Sequence, residues 1–160
     1  MSINQDFPVT PAGLEKLREE LHRLKTVEMP KISVEIGVAR DLGDLSENFE
    51  YHAAKDRQGM IAARIRVLED KISRANVIDP SKLSGDRVVF GATVILAEID
   101  TGEERTYTIV GEVEANIETG HISVGSPMAR ALIGREVGDE TKIPSKTGPK
   151  SVEIVNVRFS

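Results

Sequence analysis

The sequence predicts an α+β protein in two parts, an antiparallel coiled-coil hairpin followed by an antiparallel β-sheet module carrying one helix. Three observations predict it. Leu14, Leu17, Leu21 and Leu24 recur at alternating spacings of three and four, the period of a coiled-coil seam. The same period returns from Tyr51 to Ala75, after a short polar interruption at 41–48. Past Asn76 that period gives way to short β-rich runs separated by turn residues.

The first arm opens at Thr10, whose hydroxyl can cap a helix, followed by Pro11, which suits the first helical position because its missing N–H would be unbonded there anyway. Beyond Leu24 the apolar set is Met29, Ile32, Ile36 and Ala39, one residue out of phase with the leucines, so a kink or short break is expected at Pro30. An arm from about residue 11 to 41 is ~45 Å long at 1.5 Å per residue. The second arm places Tyr51, Ala54, Gln58, Ile61, Ile65, Leu68, Ile72 and Ala75 on one face. Two arms of similar length with a short connection pack as an antiparallel hairpin, seams facing and connection at the apex. Ala39 and Ala54 near the apex keep that end slender.

In the second part, β-rich runs begin at Arg87, Arg105, His121, Thr141 and Ser151. One helix interrupts them, with Ser126 as cap, Pro127 at its first position and Gly134 at its end. The expected domains are 1–76 and 77–160, with Asp79-Pro80-Ser81 as linker.

Composition narrows the functions. Apolar residues make up 39% of the 160 positions, ample for a folded chain. Cysteine is absent, which excludes disulfides, thiolate zinc sites and thiol nucleophiles. His22, His52 and His121 have no metal-ligand spacing. No apolar run reaches membrane-span length and the N-terminus lacks a signal-peptide pattern, so the cytoplasm is the expected address. Net charge is −5, with both signs interspersed, which argues against a broad face for duplex DNA. The acidic excess lies mainly after residue 76 and suits a basic partner.

The interruption itself, DLGDLSEN at 41–48, holds Asp41, Asp44 and Glu47. One reading is structural: Asp44 or Ser46 caps the second helix, Glu47 completes a capping-box-like pair with Asp44, and Gly43 supplies a positive φ. The other is chemical. Asp44 and Glu47 can present two carboxylates to one side, a donor set for a divalent cation that keeps most of its waters. Two carboxylates are too few to hold magnesium tightly, so a second macromolecule has to complete the shell. Arg40 and Lys55 flank the acids, with Arg57 further down the arm. Tyr51 lies one turn beyond Glu47, where a ring can meet a nucleobase or a protein wall.

Five blocks in order carry a resemblance: TPAGLEKLREELHRLK, GDLSENFEYHAAKDRQG, VIDPSKL, VVFGATV and ISVGSPMARALIGREVGD. Through them the chain resembles the bacterial transcript cleavage factors of the GreA/GreB family over nearly its whole length. The resemblance implies an N-terminal antiparallel coiled coil and a C-terminal domain of FKBP-like fold. It further implies entry through the secondary channel of RNA polymerase, where Asp44 and Glu47 help retain a magnesium ion and position water for hydrolysis of backtracked RNA. Magnesium is then bound only jointly with the polymerase, and the free protein, expected to be a monomer, is no nuclease on its own. On the same grounds Arg40 and Lys55 contact the nascent RNA, while Tyr51, Ser126 and Pro127 contact the polymerase. Ser46 stands where the family often has lysine, and the sparse basic patch is closer to the GreA branch. Two other readings compete: a channel-binding modulator that stimulates no cleavage, and prolyl isomerisation by the C-terminal module, which has few aromatics for a proline pocket.

Overall fold

A computed structural model describes residues 6–44 and 48–160. They fall into two units, Leu14–Arg74 on one side and, on the other, the residues up to Gly13 together with Ala75–Ser160.

Helix α1 spans Pro11–Arg23. The Thr10 hydroxyl caps it by accepting the Gly13 N–H at 3.1 Å. No break follows at Pro30. Instead a π-helical turn, Leu24–Glu28, leads without interruption into α2, Met29–Arg40. The Met29 N–H bonds back to the Leu24 carbonyl, five residues away. A π turn accommodates one residue more than an α turn, so it absorbs the phase slip between the leucines and the isoleucines. Leu24 and then Ile32, Ile36 and Ala39 therefore stay buried on one face. Pro30 follows in the first turn of α2, where the regular hydrogen-bond ladder is already interrupted.

Helix α3, Phe49–Arg74, returns along this arm. Ala54 and Leu68 are buried, and Tyr51, Gln58, Ile61, Ile65 and Ile72 are half-buried, so the seam read from the sequence is the packed face. Ile32, Ile36 and Ala54 form its cluster near the apex, with Met29, Tyr51 and Ile61 against them. Ion pairs cross between the arms: Arg64 to Glu20 at 2.8 Å, Lys25 to Glu69 at 3.2 Å and Arg57 to Glu35 at 3.0 Å. Exposed pairs of this kind contribute about 0.2–1 kcal/mol each. Burying one isoleucine contributes about 1.5–3 kcal/mol, so the seam rather than the charges holds the arms together.

In the other unit, β1 (Phe7–Val9) and β2 (Ala75–Val77) pair in parallel, Phe7 opposite Ala75 and Val9 opposite Val77. The strand ahead of the first helix thus belongs with the sheet unit, whereas a boundary drawn at 76/77 leaves it with the helices. Five further strands, β3 (Thr93–Glu98), β4 (Glu104–Val110), β5 (His121–Ser123), β6 (Glu140–Ile143) and β7 (Lys150–Arg158), form one sheet in the order β5-β4-β3-β7-β6.

This sheet is mixed, not antiparallel as the sequence suggested. β4 and β5 run parallel, Thr108 opposite His121 and Val110 opposite Ser123. Two 3₁₀ turns within 111–120 carry the chain back beside Thr108, so that β5 runs along the second half of β4, a return that a tight hairpin cannot make. Gly120 closes the second turn at φ 77°, and a Cβ there would lie 2.8 Å from the Thr106 carbonyl. The run expected from Arg87 becomes regular strand only at Thr93, after a turn at Gly91 with φ 90°.

A bulge between β3 and β7 sets Leu96 opposite Ile154 and Ile95 opposite Asn156, skipping Val155. It lets Val152, Ile154 and Val157 all face inward despite their uneven spacing. Helix α4, Pro127–Leu132, lays Ala129 and Leu132 into the same buried cluster, beside Val94, Ile109 and Ile143. Among the described residues no helix is long and apolar enough to cross a membrane.

Candidate functional site

At the apex of the hairpin α2 ends on backbone bonds, from the Asp41 N–H to the Gly37 and Val38 carbonyls and from the Leu42 N–H to the Ala39 carbonyl at 3.1 Å. Gly43 then turns the chain at φ 140°. Asn48 caps the start of α3: its Oδ1 accepts the Tyr51 N–H at 3.0 Å, and its backbone carbonyl accepts the His52 N–H at 3.1 Å. The other end of the side-chain amide, Nδ2, donates to the Ala39 carbonyl on the opposite arm. Ser46, the other cap the sequence offered beside Asp44, lies outside the described residues.

Asp44 therefore precedes the helix, which begins at Phe49. Leu45, Ser46 and Glu47 lie outside the described residues, so the spacing between the two acids is left to the sequence. Asp44 is exposed and borders a shallow hollow with Leu42, Gly43, Asn48, Phe49 and Glu50. Among the described residues no three carboxylate or imidazole groups converge on a metal-sized site.

The other residues singled out at this end are spread around it. Arg40 is exposed at the end of α2. Lys55 is exposed on α3, with its ammonium 3.2 Å from the Gln58 side-chain Oε1. Arg57 is held by Glu35. Tyr51 is a seam residue, half-buried and edge-on to His52 with ring centres 5.5 Å apart. The aromatic that faces solvent is Phe49, 87% exposed. Its position was legible: two residues before Tyr51, at 100° per residue, falls on the opposite side of the helix from the seam.

In the sheet unit the Ser126 hydroxyl caps α4 by accepting the Ala129 N–H at 3.2 Å, and Pro127 is exposed beside it. Both border an open hollow of about 370 Å³ with Ile117, His121, Met128 and Pro144. A second hollow of about 390 Å³, not anticipated from the sequence, is floored by Leu96, Met128, Ile143 and Val152, with Tyr107 as its aromatic. Glu98 stands at its rim. The Lys150 ammonium at 3.1 Å and then the Thr101 hydroxyl at 2.9 Å hold the Glu98 carboxyl below the usual carboxylate range.

Two family models together cover nearly the whole chain, dividing it between residues 77 and 83. Residues 7–77 match the family description "Transcription elongation factor, N-terminal", and residues 83–159 match "Transcription elongation factor, GreA/GreB, C-term". The transcription elongation factor GreA of Beijerinckia indica is 54% identical over 96% of this chain and 98% of its own length. That of Phenylobacterium zucineum is 55% identical over 97% and 99%. Among solved structures, GreA factor homolog 1 of Thermus thermophilus is 30% identical, covering 96% of this chain and 99% of its own, at a TM-score of 0.44.

Proposed function

The chain belongs to the GreA/GreB family of transcription elongation factors, and from that membership we propose that it enters the secondary channel of RNA polymerase, apex first, and stimulates hydrolysis of the 3′ end of backtracked RNA. The observation that carries the proposal is Asp44, an exposed carboxylate in the turn joining two packed arms. Asn48 caps α3 through its Oδ1, and Asp44 stays exposed to solvent beside that cap.

Asp44 and Glu47 offer hard carboxylate oxygens, the ligand type magnesium takes in ones and twos while keeping its waters. They would hold the ion together with groups of the polymerase. When bound, it supplies Lewis-acid stabilisation of charge on the reacting phosphate. The part of this chain is to deliver and orient the two carboxylates, and the seam of Ile32, Ile36 and Ala54 fixes the arms that carry them. The active centre belongs to the polymerase, and the chain is no nuclease by itself. Arg40 and Lys55 attract the phosphates of the extruded strand, a contact without sequence preference that weakens with salt. The hollow beside Ser126 and Pro127, with Tyr51 on the arm, supplies contacts to the polymerase.

The test is a cleavage assay on a stalled, backtracked elongation complex with 3′-labelled RNA. Short 3′ fragments should appear faster with the protein than with polymerase alone, and the protein alone should release none. Binding without faster cleavage would make the chain a channel-occupying modulator instead.

A further inference from the structure

Phe49 stands out at the apex because the fold gives it nothing to do. It is 87% exposed, off the seam, and neither caps nor braces α3, whose start is fixed by Asn48. With Leu42, itself 64% exposed, it forms the apolar wall of the hollow that Asp44 and Glu50 also border. An apolar wall and two carboxylates in one hollow select their occupant. A phosphate is repelled by the acids. An aliphatic side chain would cover the ring only by stripping water from the carboxylates, and it returns no hydrogen bond to them. A nucleobase satisfies both, since its face stacks on a phenyl ring and its edge carries N–H donors that carboxylates accept.

Resting on the proposed function, we infer that Phe49 is a positioning residue: its ring stacks on a base of the extruded RNA beside the scissile phosphate and seats that nucleotide against Asp44. Stacking tolerates every base, as a factor acting on arbitrary transcripts requires, and favours the larger purine face. Tyr51, the aromatic first suggested for such a contact, is packed against the seam cluster of Ile32, Ile36 and Ala54. Phe49 has its face available.

The experiment uses the full-length chain and backtracked complexes whose extruded nucleotide at the cleavage site is a purine, a pyrimidine or abasic. Thermal unfolding of Phe49→Ala, Phe49→Leu and Phe49→Tyr checks that each variant folds. Phe49→Ala and Phe49→Leu should lower the stimulated cleavage rate at saturating factor by at least about fivefold, the factor equivalent to about 1 kcal/mol of stacking. Phe49→Tyr should keep the rate, and the loss should be larger for purines. On abasic RNA the parent should fall to the level of Phe49→Ala, and the two should become equal. Parent-like cleavage by Phe49→Leu, or the same loss on abasic and purine RNA, would overturn stacking and assign the ring to an apolar contact with the polymerase. A parent chain that stimulates no cleavage would overturn the proposed function, and the stacking inference with it.

Discussion

Asn48 bonds Ala39 across the hairpin: its side-chain Nδ2–H donates to the last-turn carbonyl of one arm while its side-chain Oδ1 caps the other. One side chain thus ends α2 and starts α3. Asn48→Ala should lower stability by about 0.5–2 kcal/mol, the range for a lost cap. Asn48→Asp keeps the capping oxygen and loses the donor, so its cost should be smaller. Urea unfolding measures both, and hydrogen exchange should locate the loss at the Tyr51 amide.

Asp44→Ala and Glu47→Ala should leave the thermal midpoint and polymerase binding unchanged and lower the stimulated cleavage rate at least tenfold. Removing a group that acts only in the transition state lowers kcat without changing binding. Excess Mg²⁺ should restore part of the rate if each acid supplies one metal contact. Parallel loss of binding and cleavage in competition and cleavage assays would assign the acids to docking.

Glu20 gives the helical unit a pH signature. A side-chain hydrogen bond from Arg64 is the main cause holding its carboxyl below the ordinary range. A depressed folded value means the stabilisation is present above the unfolded value and is lost as pH falls through the folded one. The thermal midpoint should therefore fall between about pH 5 and pH 3 with a contribution from this pair. Glu20→Gln should cost about 0.5 kcal/mol at neutral pH, the scale of an exposed pair, and remove that contribution.

The π turn makes a length prediction. Deleting Val27, 53% exposed within the turn, together with Pro30→Ala should give a regular α-helix with the same seam and a stability within about 1 kcal/mol of the parent. Deleting Val34 instead rotates Ile36 and Ala39 by about 100° off the seam. That variant should lose several kcal/mol, and circular dichroism with urea separates the two.

The helical seam was legible because it repeats: every position from Tyr51 to Ile72 expected to face inward is buried or half-buried. The β1–β2 pair was not, since FPV and ANV are three residues long, too short to alternate. Strand direction was equally hidden at β5, because residue patterning sets which face is buried but not which way a short strand runs beside its neighbour. At the apex, Asp44, Ser46 and Asn48 are all good capping residues. The choice of Asn48 depends on the Ala39 carbonyl, nine positions earlier and across the hairpin. Ser126 had no such competitor next to Pro127, and its capping role was readable directly.

The pairing of β1 with β2 bears on how the chain is made. Phe7 has to wait for Ala75, roughly seventy residues later in synthesis, before it can enter a sheet. The arms between them close through nearby contacts, such as Asn48 with Ala39, and can form while the rest of the chain is still within the ribosome. The strand made first therefore waits through the synthesis of both arms, although its partner emerges before any of β3–β7. In the interval it is a short unpaired edge, and its three-residue length and central proline limit what else can pair with it.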